Sequence, residues 1–262
     1  MNSRSVAIVA ITAMTASGCG VGVHFADYRN TVTPADSHVT GPVTALQVEA
    51  DAGHVIVRTG AGDGVTIHRV VRYQSGTPHP GQRLSNGTLT FTKGCARCRV
   101  DYDLTVPASV SVRARTDSGR IDVVGVKAAD LGSDSGSVTV RHIATGVSAH
   151  SDSGSLTIQD VGGTLETSTD SGSTRATELR SPTAKTSTDS GSIRLGFTAV
   201  PTTVRANSDS GSLNLTLPSG TYDVDARTDS GGKHITVPTA SAAQSKIYVS
   251  TDSGGVNVLP AA

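Results

Sequence analysis

The chain has 262 residues, with 22 Lys plus Arg balanced by 22 Asp plus Glu. This neutrality excludes the basic excess that a nucleic-acid binder needs to neutralise phosphates. Aromatic residues make up only 3%, Trp is absent, and 29 glycines favour strands and tight turns over a globular core built on large rings.

Residues 1–18 read as a secretion signal. Arg4 gives a positive start, and Val6 to Met14 is an apolar run too short to span a bilayer. Ala16-Ser17-Gly18-Cys19 follows and resembles a bacterial lipobox, which implies cleavage before Cys19 and lipidation of its thiol. Ala16 departs from that pattern, which prefers Leu. The alternative is ordinary signal cleavage near this point, with Cys19 incidental. Residues 19–43 carry Gly, Pro, Thr and Ser without periodicity and are expected to be a tether behind the lipidated cysteine.

Residues 44–110 are expected to form less regular first β-coils. They include Cys95-Ala-Arg-Cys98. Export to an oxidising compartment favours a local Cys95–Cys98 disulfide. A redox pair or half a zinc site is the sharper reading, without a second ligand pair or a strand-helix context to support it. Asp51-Ala52-Gly53 and Ser85-Asn86-Gly87 look like degenerate early copies of what comes next.

Residues 111–259 are a serial repeat. Asp-Ser-Gly begins at Asp117, Asp134, Asp152, Asp170, Asp189, Asp209, Asp229 and Asp252, at spacings of 17, 18, 18, 19, 20, 20 and 23. Apolar residues sit second and fourth after each glycine, as in Ile121 and Val123 or Leu156 and Ile158. The copy at Asp170 is weak, with Thr174 and Ala176. The copy at Asp229 has an extra Gly232, so Ile235 and Val237 are its expected pair. Before each Asp the inward residues shrink toward the turn, as in Val112, Ala114 and Thr116. Each repeat is thus strand, Asp-Ser-Gly corner, strand. Like sequence at like phase stacks in parallel, so the fold class is all-β, a parallel β-helix or β-solenoid of stacked 17–23-residue coils. Leu259-Pro260-Ala261-Ala262 is expected to cap one end, because Pro donates no ladder hydrogen bond.

The corner motif has a structural explanation: Asp and Ser side chains bond turn amides, and Gly tolerates positive φ. Stacking would also align the eight aspartates into a ladder that invites weak cation binding. The Gly-Gly-x-Gly-x-Asp calcium signature is absent, and no cofactor is expected. His24, His38, His54, His68, His79, His142, His150 and His234 show no metal-ligand spacing on one strand. No nucleophile elbow or phosphate loop occurs. Arg120, Arg141, Arg175, Arg194 and Lys233 recur near one place in successive repeats. They read as a solvated stripe or, more sharply, as a groove for an acidic sugar.

Asp103-Leu-Thr-Val-Pro107, then Val110-Ser-Val-Arg-Ala-Arg-Thr-Asp-Ser-Gly119 and the serial copies resemble the bacterial adhesin-type β-strand-repeat family over about residues 44–259. That is a domain family of unknown function on exported and membrane-attached proteins. The resemblance implies a right-handed coil and carries no catalytic residues across. The functional expectation is a non-enzymatic, extracytoplasmic, lipid-anchored surface binding module of adhesion type, held on the membrane through its anchor. Its expected partner is a surface glycan or an envelope protein, with self-association as a further outcome. The alternatives are a structural or regulatory envelope protein and, third, a polysaccharide-active enzyme.

Overall fold

The computed structural model describes residues 31–74, 78–93 and 98–261. Cys19, Cys95 and the expected signal segment lie outside them. The first strands are β1 (Thr31–Val39), β2 (Ala45–Ala50), β3 (Val55–Thr59), β4 (Val65–Tyr73), β5 (Gly81–Ser85), β6 (Thr88–Thr92) and β7 (Cys98–Val106). Strand pairs then flank each corner: β8 (Ser111–Thr116) with β9 (Ile121–Val124), β10 (Ala128–Ser133) with β11 (Val138–Ile143), and β12 (Gly146–Ser151) with β13 (Leu156–Val161). Next come β14 (Thr164–Thr169) with β15 (Thr174–Leu179), β16 (Thr183–Ser190) with β17 (Ile193–Phe197), and β18 (Thr203–Ser210) with β19 (Leu213–Leu217). The last pairs are β20 (Asp223–Ser230) with β21 (Lys233–Ile235) and β22 (Lys246–Ser253) with β23 (Val256–Pro260).

The strand before each corner joins an 11-stranded sheet, and the strand after it joins a 12-stranded sheet. The two inner faces enclose one continuous aliphatic column. In it, Ile121, Val138, Leu156, Ile193, Leu213 and Val256 are fully buried. Each such side chain contributes roughly 1.5–3 kcal/mol on burial. The coils stack in parallel register, so Val112, Ala129, Val147 and Leu165 lie above one another. This is the all-β solenoid that the repeat predicts.

The corner differs from expectation in its chemistry. Hydroxyls just before each Asp, buried in every coil but that of Asp229, hold it. Thr116, Ser133 and Ser151 accept the amides of Gly119, Gly136 and Gly154 at 3.0, 2.7 and 2.8 Å. Later coils use the same place to donate, as Thr251 does to the Gly211 carbonyl at 3.1 Å. Among the described residues, no ladder carboxylate accepts a backbone amide; those that are engaged meet Lys93 or His150. The glycine is required by close approach rather than by positive φ, which only Gly254 among the corner glycines adopts. A Cβ on Gly136, Gly154 or Gly211 would stand 1.8, 1.9 or 1.9 Å from the carbonyl oxygen of the previous corner glycine. The opposite bend has no such uniformity. There Gly125, His142, Asp160 and Glu178 take left-handed backbone at matching places in successive coils.

Four further expectations are corrected. Ser85-Asn86-Gly87 is no repeat copy. With Asn86 at φ 50° and Gly87 at φ 74° it forms a two-residue turn between antiparallel β5 and β6. Thr31–Val39, read as part of the tether, pair antiparallel with β4 as an edge strand. Gly232 does not shift the register: Lys233 and Ile235, not Ile235 and Val237, align with Val256 and Val258. Finally, the C-terminal residues do not cap the rod. β22 and β23 lie between the β18/β19 coil and the β20/β21 coil, which forms the end. Lys233 stands in register with the inward Val256 and is exposed at this end. An ammonium there would be desolvated under another coil, at a cost that an end position avoids.

Candidate functional site

The Asp-Ser-Gly corners form an exposed acidic ridge along one edge, in the order Asp117, Asp134, Asp152, Asp170, Asp189, Asp209, Asp252, Asp229. Its base is neutralised locally. Lys93 Nζ lies 2.5 Å from Asp51 and 3.2 Å from Asp117. The bond from Asp51 leads the influences that raise the Lys93 pKa. Among the described residues no group of three or more His, Cys, Asp or Glu is arranged to hold a metal ion. Cys98 is disulfide-bonded.

The Arg and Lys stripe does not assemble into a groove. Arg175 and Arg194 are register neighbours on the outer face of the 12-stranded sheet. Arg141 belongs to another row and bonds Asp122 at 3.1 Å. Arg120 precedes β9, and Lys233 lies on the inward row of the end coil.

The outer face of the 11-stranded sheet carries two features that residue spacing did not reveal. The first is a trough of about 560 Å³ running across the strands. Its floor is a register row of small residues: Ala45, Ser111, Ala128 and Gly146, closed by Thr88 and Thr164 at its ends. The next outward row rises as one wall through Gln47, Arg113, Asp130, Ser148 and Glu166. The charges of that wall balance once its neighbours are counted, with Glu49 in register beside Arg115. Arg113 and Arg115 both reach Asp130 at 2.6 Å, and Lys185 reaches Glu166 at 2.9 Å. Burial alone would raise the Asp130 carboxyl, but the bonds from Arg115 and then Arg113 outweigh it and hold the group below its ordinary range.

The second feature is a relay. His150 Nδ1 lies 2.8 Å from the Ser168 hydroxyl, and its Nε2 lies 2.9 Å from Asp152. A Ser–His–Asp chain of this kind is the arrangement that activates a serine nucleophile. Here it lies on the open outer face of a sheet. The backbone amides of β12, β14 and β16 are committed to parallel ladders and are not free to serve as oxyanion donors. His150 and Asp152 are both half exposed, with side-chain exposures of 53% and 51%, so water is not excluded. The relay braces two neighbouring coils. Its members come from residues 150, 152 and 168, and only the coil-to-coil register brings the third to the first two.

This architecture defines a two-sheet, largely parallel β-solenoid. Residues 80–259 match the family model described as Toastrack DUF4097, and the chain belongs to that family. Among solved structures it is similar in fold to a "putative adhesin" of Bacteroides fragilis, at 10% identity and a TM-score of 0.56, covering 88% of this chain and 97% of that one. A "putative adhesin" of Parabacteroides merdae also aligns, at 11% identity and a TM-score of 0.43, covering 88% of this chain and 96% of that one. No curated protein matches the chain.

Proposed function

We propose that this protein is an exported, non-catalytic binding module of adhesion type. It is anchored in the cell envelope by lipid on Cys19 after loss of residues 1–18, and it presents its 11-stranded sheet to an extended surface partner. The observation that carries this reading is the trough across β6, β2, β8, β10, β12 and β14, a continuous recess whose wall carries both signs of charge, paired to one another. The name of the Bacteroides fragilis neighbour points the same way. The lipobox-like Ala16-Ser-Gly-Cys19 supports the anchor, and two acyl chains suffice for stable attachment, since each buried CH₂ adds about 0.8 kcal/mol. Cys95 is the proposed partner of Cys98.

The test is cross-linking of the full-length protein in its native cells, purification under denaturing conditions, and identification of what is attached and where. Surface polymer attached at the 11-stranded sheet supports the binding reading. A single reproducible envelope protein overturns it in favour of a structural or regulatory role. Covalent labelling of Ser168 by a serine-reactive fluorophosphonate overturns the non-catalytic assignment.

A further inference from the structure

We infer that the trough binds an uncharged, polyhydroxylated chain — a neutral oligosaccharide — laid along the rod and crossing the strands. This rests on the reading of the protein as a binding module and names the class of its ligand.

Charge selects the class first. An acidic polymer needs unmatched cations, and a basic one needs unmatched carboxylates. Arg113 and Arg115 share Asp130, Glu49 is the register neighbour of Arg115, and Glu166 is held by Lys185, so three cations face three carboxylates. A charged ligand would have to break these pairs, whereas a neutral one leaves them in place. The rim also offers uncharged donors and acceptors in the hydroxyls of Ser148, Thr88 and Thr164 and the amide of Gln47. Such groups suit a ligand that is itself a row of hydroxyls.

Shape comes next. Ala45, Ala128 and Gly146 leave the floor nearly bare, so the CH face of a flat ring can lie against the sheet. The volume falls within the roughly 300–1,000 Å³ usual for small-ligand sites. Its length exceeds that of one sugar ring, because six strands at a spacing of about 4.8 Å span about 24 Å.

An extended peptide is the competing occupant. Peptides commonly join sheets by adding a strand at an edge, where main-chain groups are free. Here β2, β8, β10 and β12 are paired on both sides, so their main-chain groups are already used. A peptide would have only side-chain contacts in a trough without deep pockets.

The experiment uses the full mature chain on a panel of neutral glucan, mannan and N-acetylglucosamine oligosaccharides, with uronate-containing and sialylated members and an extended peptide library beside them. It is read at low and high salt. Ala128→Trp and Ser148→Trp fill the trough from outward positions, and Thr157→Trp, on the outer face of the other sheet, serves as control. Thermal melts establish that all three fold. The expected result is salt-insensitive binding of a neutral member, weakened about tenfold or more by both trough variants and unchanged by Thr157→Trp. Preference for acidic members with strong salt dependence overturns the class. Neutral binding that survives both trough variants overturns the site. If no glycan binds but peptides do, and native cross-links fall on the trough, the ligand class is wrong while the binding module stands. If nothing binds and cross-links fall elsewhere, both fail.

Discussion

Lys233 stands in register with Val256, so a cation occupies the inward row that Val256, Leu213 and Ile193 fill in the neighbouring coils. The β20/β21 coil therefore serves as the end of the rod. Its inward face is left partly open, with Ile235 37% exposed. An inward charge on an edge strand discourages edge-to-edge pairing with another chain. Lys233→Val is expected to convert this end into an apolar face and to produce concentration-dependent oligomers in sedimentation velocity, while the parent does not self-associate through this end. A variant that stays monomeric would show that Lys233 does not guard it.

The corner glycines make a steric prediction. Gly154→Ala places a Cβ 1.9 Å from the Gly136 carbonyl oxygen, whereas Gly232→Ala meets nothing within 4 Å. The first is expected to cost about 3 kcal/mol, at the upper end of overpacking penalties. The second should stay within about 0.5 kcal/mol of the parent. Denaturant unfolding separates them, and equal effects would mean that the glycine column is not held by contact.

The hydroxyl before the corner, rather than its aspartate, is expected to carry stability. Ser133→Ala leaves the buried Gly136 amide without its 2.7 Å partner and should cost roughly 1–3 kcal/mol. Asp134→Ala, on the exposed ridge of the same coil, should change stability by less than about 0.5 kcal/mol. The reverse order in urea melts would restore the carboxylate as the cap.

Thr174 interrupts an aliphatic column between Leu156 and Ile193, and its buried hydroxyl has no hydrogen-bond partner among the described residues. Thr174→Val keeps the shape and removes the unmet polar group. A gain of about 1 kcal/mol in unfolding free energy is expected. A loss would reveal a partner for that hydroxyl.

His54 supplies a pH dependence. Its Nδ1 accepts the Arg120 amide at 3.2 Å, which requires the unprotonated ring. Burial first, then Arg99, Arg120 and Arg72, lower its pKa from 6.5. Below 6.5 the unfolded chain therefore takes up a proton that the folded chain resists, and stability falls as pH drops from 6.5 through the lowered value. At more acid pH Asp130 acts similarly. Its folded pKa lies under 3.8, so its contribution holds above 3.8 and is lost as pH falls through the folded value. Melting temperature measured from neutral to acid pH should show the first step in the parent and a smaller one in His54→Gln.

Period-two alternation around Asp-Ser-Gly made the coils legible, because a half-buried strand writes its inward face directly into the sequence. Chain order did not supply coil order, because coils interleave at both ends: β2/β3 lie between β6/β7 and β8/β9, and β22/β23 between β18/β19 and β20/β21. Asn86-Gly87 resembled a corner copy because turn residues are shared between unrelated turns. The Ser168–His150–Asp152 relay and the trough were illegible for a common reason. Both are made by residues from different coils, and which outward residues meet depends on the register of the stack.

The interleaving of the last coil sets an order of assembly. Strands β20 and β21 find their neighbours only in β22 and β23, which come later in the chain. As the chain grows from its N-terminus, the coils from β8/β9 to β18/β19 can add in chain order. The β20/β21 coil must then wait until residue 260 has arrived. A chain truncated before Lys246 would leave β20 and β21 without the strands they pair with, so this end of the rod depends on a segment made after it.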